Sequence, residues 1–205
     1  MALGLSNQGG GFDAVPYVKY DAKAGRMFAV ERVQGPNGWE NRSNDVTNGF
    51  TAAFDFENIM VGWSAFTPTG PNHALVKIGE TLPAKPSDDH KQSFKLRIWS
   101  KSLGLRELAG TAKALLGAVD QLHDAYLAAP EAKSGKVPVV AMTGTTVVET
   151  KGPAGVNRNY APVFAITKWI ARPDVLAPVE APKAVAPSSR AGTLVPPPAD
   201  DDFGD

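Results

Sequence analysis

The chain has 205 residues, enough for one domain with a sizeable core plus appendages, and its hydrophobic content of 43% is that of a globular protein. It contains no cysteine, which excludes disulfides and thiolate metal sites, and no apolar run reaches the ~18 residues of a membrane-spanning helix. The formal charge of zero hides an asymmetry: after Pro173, Lys183 and Arg190 face Asp174, Glu180, Asp200, Asp201, Asp202 and Asp205, so residues 1–173 are mildly basic and the chain end is acidic. Such a split points to a polyanionic partner for the body; a solubilising tail on an ordinary soluble body is the plain alternative.

The opening MALGLSNQGGGFD lacks the basic and apolar regions of a signal peptide and reads as a flexible lead over residues 1–14. Tyr17–Val33 is rich in β-formers, with a bend expected at Gly25, and Gln34–Gly49 reads as loop. Phe50–Phe66 is a second extended stretch, weakened at Gly62. TPTGPN turns the chain, His73–Gly79 is a short strand, and TLPAKPSDDHK is again loop. Ser93–Lys101 alternates cleanly, with Phe94, Leu96 and Ile98 on one face and Lys95, Arg97, Trp99 and Lys101 on the other, the period of a half-buried strand.

The period then changes. Leu108, Ala112, Leu115, Leu116, Val119, Leu122 and Tyr126 fall at helical spacing and predict an amphipathic helix of about six turns within Leu105–Ala129. Val137–Thr150 and Tyr160–Pro173 are strand-like, separated by the loop KGPAGVNRN. Beyond Pro173 the proline, alanine and serine content predicts an extended, disordered tail over residues 174–205. The sum is a mainly β fold with one long helix. Three extended stretches, a helix and two more have the chain order of an OB-fold, a five-stranded barrel with its helix between the third and fourth strands, over residues 15–173. Amphipathicity alone leaves open whether the helix closes the barrel or makes a homodimer contact.

Catalytic motifs are scarce: there is no phosphate-binding GxxxxGK[ST], no GxSxG and no HExxH. Asp88, Asp89 and His90 form the one compact cluster with metal-ligating chemistry. They sit in a proline-flanked loop that reads as a solvated turn; a metal-dependent nuclease is the enzymatic rival. No cofactor and no metal is expected.

A binding constellation has more support. Single strands are held by cations along the phosphates and by aromatic faces on which bases stack. Lys95, Arg97, Trp99 and Lys101 supply both on one strand face. Trp63 and Trp169 are each read more readily as core than as platform; Trp63 and Lys168, beside Trp169, join the candidate set. So do Trp39 with Arg42 in the GPNGWENRSND loop, and Arg158 with Tyr160. Phe12, Tyr17 and Tyr20 beside Lys19 and Lys23 are weaker candidates.

The chain ends PPPADDDFGD, a proline-rich spacer and four aspartates around Phe203. This tail on a basic body resembles the single-stranded DNA-binding proteins of bacteria and their phages. The stretches DFENIMVGWSAF, DDHKQSFKLRIWSKSLGLRELAGTAKALLGAVDQLHDAY and NYAPVFAITKWIARP are closer in pattern to the phage-encoded kind. The resemblance implies a non-enzymatic protein that coats single-stranded DNA in replication or recombination, in the cytoplasm of a bacterial host. It also implies a tail in which Asp200, Asp201, Asp202, Phe203 and Asp205 compete with DNA and recruit replication or recombination proteins. One departure is plain: bacterial tails end on the aromatic residue, whereas Gly204 and Asp205 follow Phe203 here. A protein-interaction or virion-assembly module that never meets nucleic acid is the alternative from another class.

Overall fold

In the computed structural model, residues 16–36, 38–67, 70–152 and 155–177 are described. They form ten strands in one mixed sheet and one α-helix: β1 Tyr17–Asp21, β2 Arg26–Gly35, β3 Gly38–Asp45, β4 Thr51–Phe54, β5 Met60–Thr67, β6 Gly70–Lys77, β7 Lys91–Ser100, β8 Gly104–Gly110, α1 Lys113–Ala128, β9 Val137–Gly152 and β10 Gly155–Ile170. The strands run β10-β9-β4-β7-β8-β1-β2-β3, with β5 and β6 attached along the first half of β7. All pairs are antiparallel except β1 with β8.

This corrects the expected OB-fold. The chain builds a ten-stranded curled sheet rather than a five-stranded barrel, and its helix follows the eighth strand rather than the third. Three local readings account for the difference. Tyr17–Val33 is two strands, because Asp21 accepts the backbone N–H groups of Lys23 and Ala24 and closes a tight turn. Gly25 ends that turn at φ 66°, a conformation glycine adopts without strain, and an added Cβ there would meet the Tyr160 ring at 3.1 Å. The polar Gly38–Asp45 stretch pairs with β2 as an edge strand instead of looping. Finally, Leu105–Gly110 is strand β8, so the helix begins only at Lys113.

Helix α1 buries Leu115, Val119, Leu122 and Tyr126, spaced at one face of a 3.6-residue period, and packs on β10. Tyr126 stacks on Trp169 of β10 with ring centroids 5.8 Å apart, and lies 5.3 Å from Phe56. Beneath the helix, Val18, Met27, Phe54, Leu96, Ile98, Leu108 and Val140 form the main core on one face of the sheet. The curl brings β10 to the β1–β2 turn, where the Tyr160 N–H donates to the Ala22 carbonyl at 2.7 Å and the Tyr20 hydroxyl to the Tyr160 carbonyl at 2.9 Å. That half-buried, carbonyl-bound hydroxyl has its pKa pushed up to about 12 by burial and then by the neighbouring Asp21 charge. Among the described residues no helix is long and apolar enough to cross a membrane.

Candidate nucleic-acid interface

The alternation in β7 sets the two faces of the sheet. Phe94, Leu96 and Ile98 enter the main core, so Lys95, Arg97 and Trp99 point to the opposite face. Register carries that face across the neighbouring strands, since residues directly opposite one another share a side. Arg97 lies opposite Glu107, which lies opposite Tyr17, itself opposite Val30. Lys19 is opposite Phe28, Arg32 opposite Asn41, and Gln34 opposite Trp39. On the other side, Met60 is flanked by Lys95 and Lys77.

Side-chain contacts agree with this register. The Lys19 ammonium lies 5.7 Å from the Phe28 ring centroid, and the Arg32 guanidinium 5.7 Å from that of Trp39. Lys95 pairs with Glu107 at 2.7 Å, and Arg26 with Asp45 at 3.0 Å. Hydrogen bonds from Thr47, then the Arg26 charge, hold the Asp45 carboxyl below its usual range and keep it ionised, so part of the face's positive charge is cancelled in place. Lys19, Arg32 and Lys77 are exposed, and no ion pair is recorded for them among the described residues.

Pro16, Tyr17, Val30, Arg32, Trp39 and Asn41 line an open cleft of about 260 Å³ on this face. Trp39 is 63% exposed and Tyr17 39%, two aromatic faces left in water beside a guanidinium and a carboxamide. Together with the Arg32 guanidinium, the two rings make a local aromatic patch on which a flat ligand could stack.

The sequence-predicted residues divide. Lys95, Arg97, Trp99 and Trp39 share this face. Lys168 joins them through the row Trp99, Ala53, Val139, Lys168 and is exposed. Lys101 is exposed in the β7–β8 turn. Arg42 is exposed but alternates to the other side of β3, 4.0 Å from Glu40. Arg158 projects from the β9–β10 ribbon and pairs with Glu149 at 2.9 Å, while Tyr160 packs at the β1–β2 turn. Trp63 lies on the core side and donates its indole N–H to the Pro83 carbonyl at 2.9 Å. It lines a second cleft, of about 360 Å³, beside α1 with Ile59, Leu82, Leu116 and His123. Phe12 and the tail residues Asp200, Asp201, Asp202, Phe203 and Asp205 lie outside the described residues. Around Asp88, Asp89 and His90 no group of three potential metal ligands converges among the described residues; the His90 ring is buried, its Nδ1 2.8 Å from the Ser87 hydroxyl.

The face is also partly covered. After β10, Asp174–Leu176 forms a 3-10 turn, and Leu176 is fully buried in a small cluster with Ala53, Val137 and Val139, against which Trp99, Leu105 and Ile170 pack. Arg97 donates to the carbonyls of Leu176 and Ala177, both at 2.9 Å. It also reaches the fully buried Asp55 carboxylate at 3.4 Å, which Arg172 and Asn58 hold as well. The body therefore extends to Ala177, and Trp99 is half-buried rather than open.

Sequence reasoning missed Phe28, Arg32, Lys77 and Asn41, and underweighted Tyr17 and Lys19. The available signal was the DAKAG turn: read as a hairpin, it sets Lys19 opposite Phe28 and puts the aromatic and cationic residues of β1 and β2 on one side. No protein-family model matches the chain, and no curated protein or solved structure matches it.

Proposed function

We propose that this protein binds single-stranded DNA, without catalysis, on the sheet face opposite α1. The observation that carries the reading is the Trp39–Tyr17 cleft beside Arg32, set on the same face as Lys19, Lys77 and Lys95. Bases stack on open aromatic rings regardless of sequence, and cations a few ångströms away neutralise the phosphates. A sheet face that sets rings and cations side by side along an open cleft suits an extended polymer. The tail fits this reading as a tethered polyanion. Ala177, the last of the described residues, has its carbonyl held by Arg97 on this face, so the aspartates that follow in the sequence are tethered to the site they would compete for. By its resemblance the protein is phage-encoded and acts in replication or recombination in the host cytoplasm, with the tail as the hook for partner proteins.

The test is an oligothymidylate titration at several salt concentrations, followed by tryptophan fluorescence. Affinity falls with salt with a log–log slope of roughly −0.7 per neutralised phosphate, and Lys19→Ala and Lys77→Ala each flatten it by about that amount. Salt-independent affinity, or none, overturns the reading.

A further inference from the structure

We propose that Asp174–Ala177 is a strap that closes over Arg97 and Trp99, and that a bound single strand displaces it. The inference rests on the reading of this face as a single-strand surface.

Three contacts hold the strap. The Leu176 side chain plugs the small cluster that half-buries Trp99, Arg97 grips the carbonyls of Leu176 and Ala177, and Arg172 donates to the Leu176 carbonyl at 3.4 Å. What the strap lacks is a ladder: its own backbone bonds are local, from Leu176 N–H to the Pro173 carbonyl and from Ala177 N–H to the Asp174 carbonyl, each at 2.9 Å. A short segment without sheet pairing among the described residues belongs to the part of a fold that opens first.

The residues beneath it are those a strand would use. Trp99 offers a ring and Arg97 a planar fork of donors, in the row next to Lys95 on the open face. A phosphate is the better partner for that fork, because two charged oxygens accept more strongly than two neutral carbonyls. Giving up Arg97 leaves no charge stranded. Asp55 keeps Arg172 and Asn58, and its N–H still donates to the Arg97 carbonyl at 3.0 Å. Closed, the strap confines stacking to Trp39 and Tyr17; open, it adds Trp99 and Arg97 and lengthens the track. Because the strand binds the open form more tightly, whatever raises the open population tightens apparent binding, up to the ratio of the two affinities.

The experiment uses the full-length protein and an oligothymidylate of about twenty nucleotides, long enough to cross the face. Amide hydrogen exchange at Leu176 and Ala177 is compared with and without saturating oligonucleotide. The strap predicts exchange faster by about tenfold or more in the complex, while amides of β7 and β8 stay protected. Unchanged or slower exchange at both positions overturns it. In parallel, Leu176→Ala, which removes the plug but neither Arg97 nor Trp99, binds the oligonucleotide about three- to tenfold tighter; equal or weaker binding counts against the strap. Should that variant not fold, the wild-type exchange decides alone. If the wild-type protein binds no oligonucleotide, the reading of the face fails and the strap with it; if it binds with Leu176 and Ala177 unchanged, the strap alone fails.

Discussion

The guanidinium of Arg97 lies 2.9 Å from the carbonyl oxygen of Leu176, joining the middle of β7 to the segment that follows β10. The same guanidinium reaches Asp55 and the Ala177 carbonyl, so one side chain connects a buried carboxylate, a sheet face and the last of the described residues.

Asp55 is the hub of that junction. It is fully buried, and its charge is compensated by Arg97 and Arg172, with Asn58 donating to both oxygens. Asp55→Ala leaves Arg172 its pair with Glu57 and Arg97 the carbonyls of Leu176 and Ala177, but removes the buried charged acceptor both share, and is expected to cost about 1.5–3 kcal/mol in chemical denaturation. A loss below about 1 kcal/mol would mean that water reaches the site and the network is ornamental.

His123 sets a pH dependence. It packs between Phe56 at 5.5 Å and Tyr126 at 5.9 Å, and burial pushes its imidazole below the ordinary value, against the opposing pull of Asp124 and Asp120. A base whose folded pKa is depressed takes up a proton more readily when unfolded. Its stabilising share is therefore complete above the unfolded pKa of about 6.5 and lost as pH falls through the folded value. His73 shifts the same way, through burial and then Lys95. The melting temperature should drop from about pH 7 to about pH 5, and His123→Phe, which keeps the ring stack, should flatten that drop. An identical slope in the variant would remove His123 from the account.

How much of this was legible depends on what each stretch must satisfy by itself. The alternation of Ser93–Lys101 made both faces of β7 readable, because a strand half-buried in a core declares its period. Gly38–Asp45 declares none: it is an edge strand exposed on every residue, held by backbone pairing that leaves no mark in side-chain polarity. Leu105 and Leu108 fit the helical spacing that follows them, and only pairing with β7 makes them strand. Trp99 shares its strand face with Lys95 and Arg97. Its cover, Leu176, comes 77 positions later, and a contact at that separation is invisible to any local pattern.

The tail supplies a third test. On the proposed reading, the four aspartates that follow Ala177 in the sequence would compete with phosphate for the same cations. Removing residues 199–205 is expected to tighten oligonucleotide binding at low salt, with the gain shrinking as salt screens the tail. Equal affinities at low salt with and without these residues would leave the tail only a partner hook.

The central claim is that the face opposite α1 binds single strands by stacking bases on open rings, and Trp39 tests it most directly. At 63% exposure, with its recorded ring contact to Arg32, the indole contributes little to the fold. Trp39→Ala should leave the melting temperature nearly unchanged. In an oligothymidylate titration monitored by anisotropy of a labelled strand, the same variant should lose about 1–3 kcal/mol, a Kd weaker by roughly 5- to 150-fold. A variant that melts like the wild type and binds the strand equally well would contradict the claim.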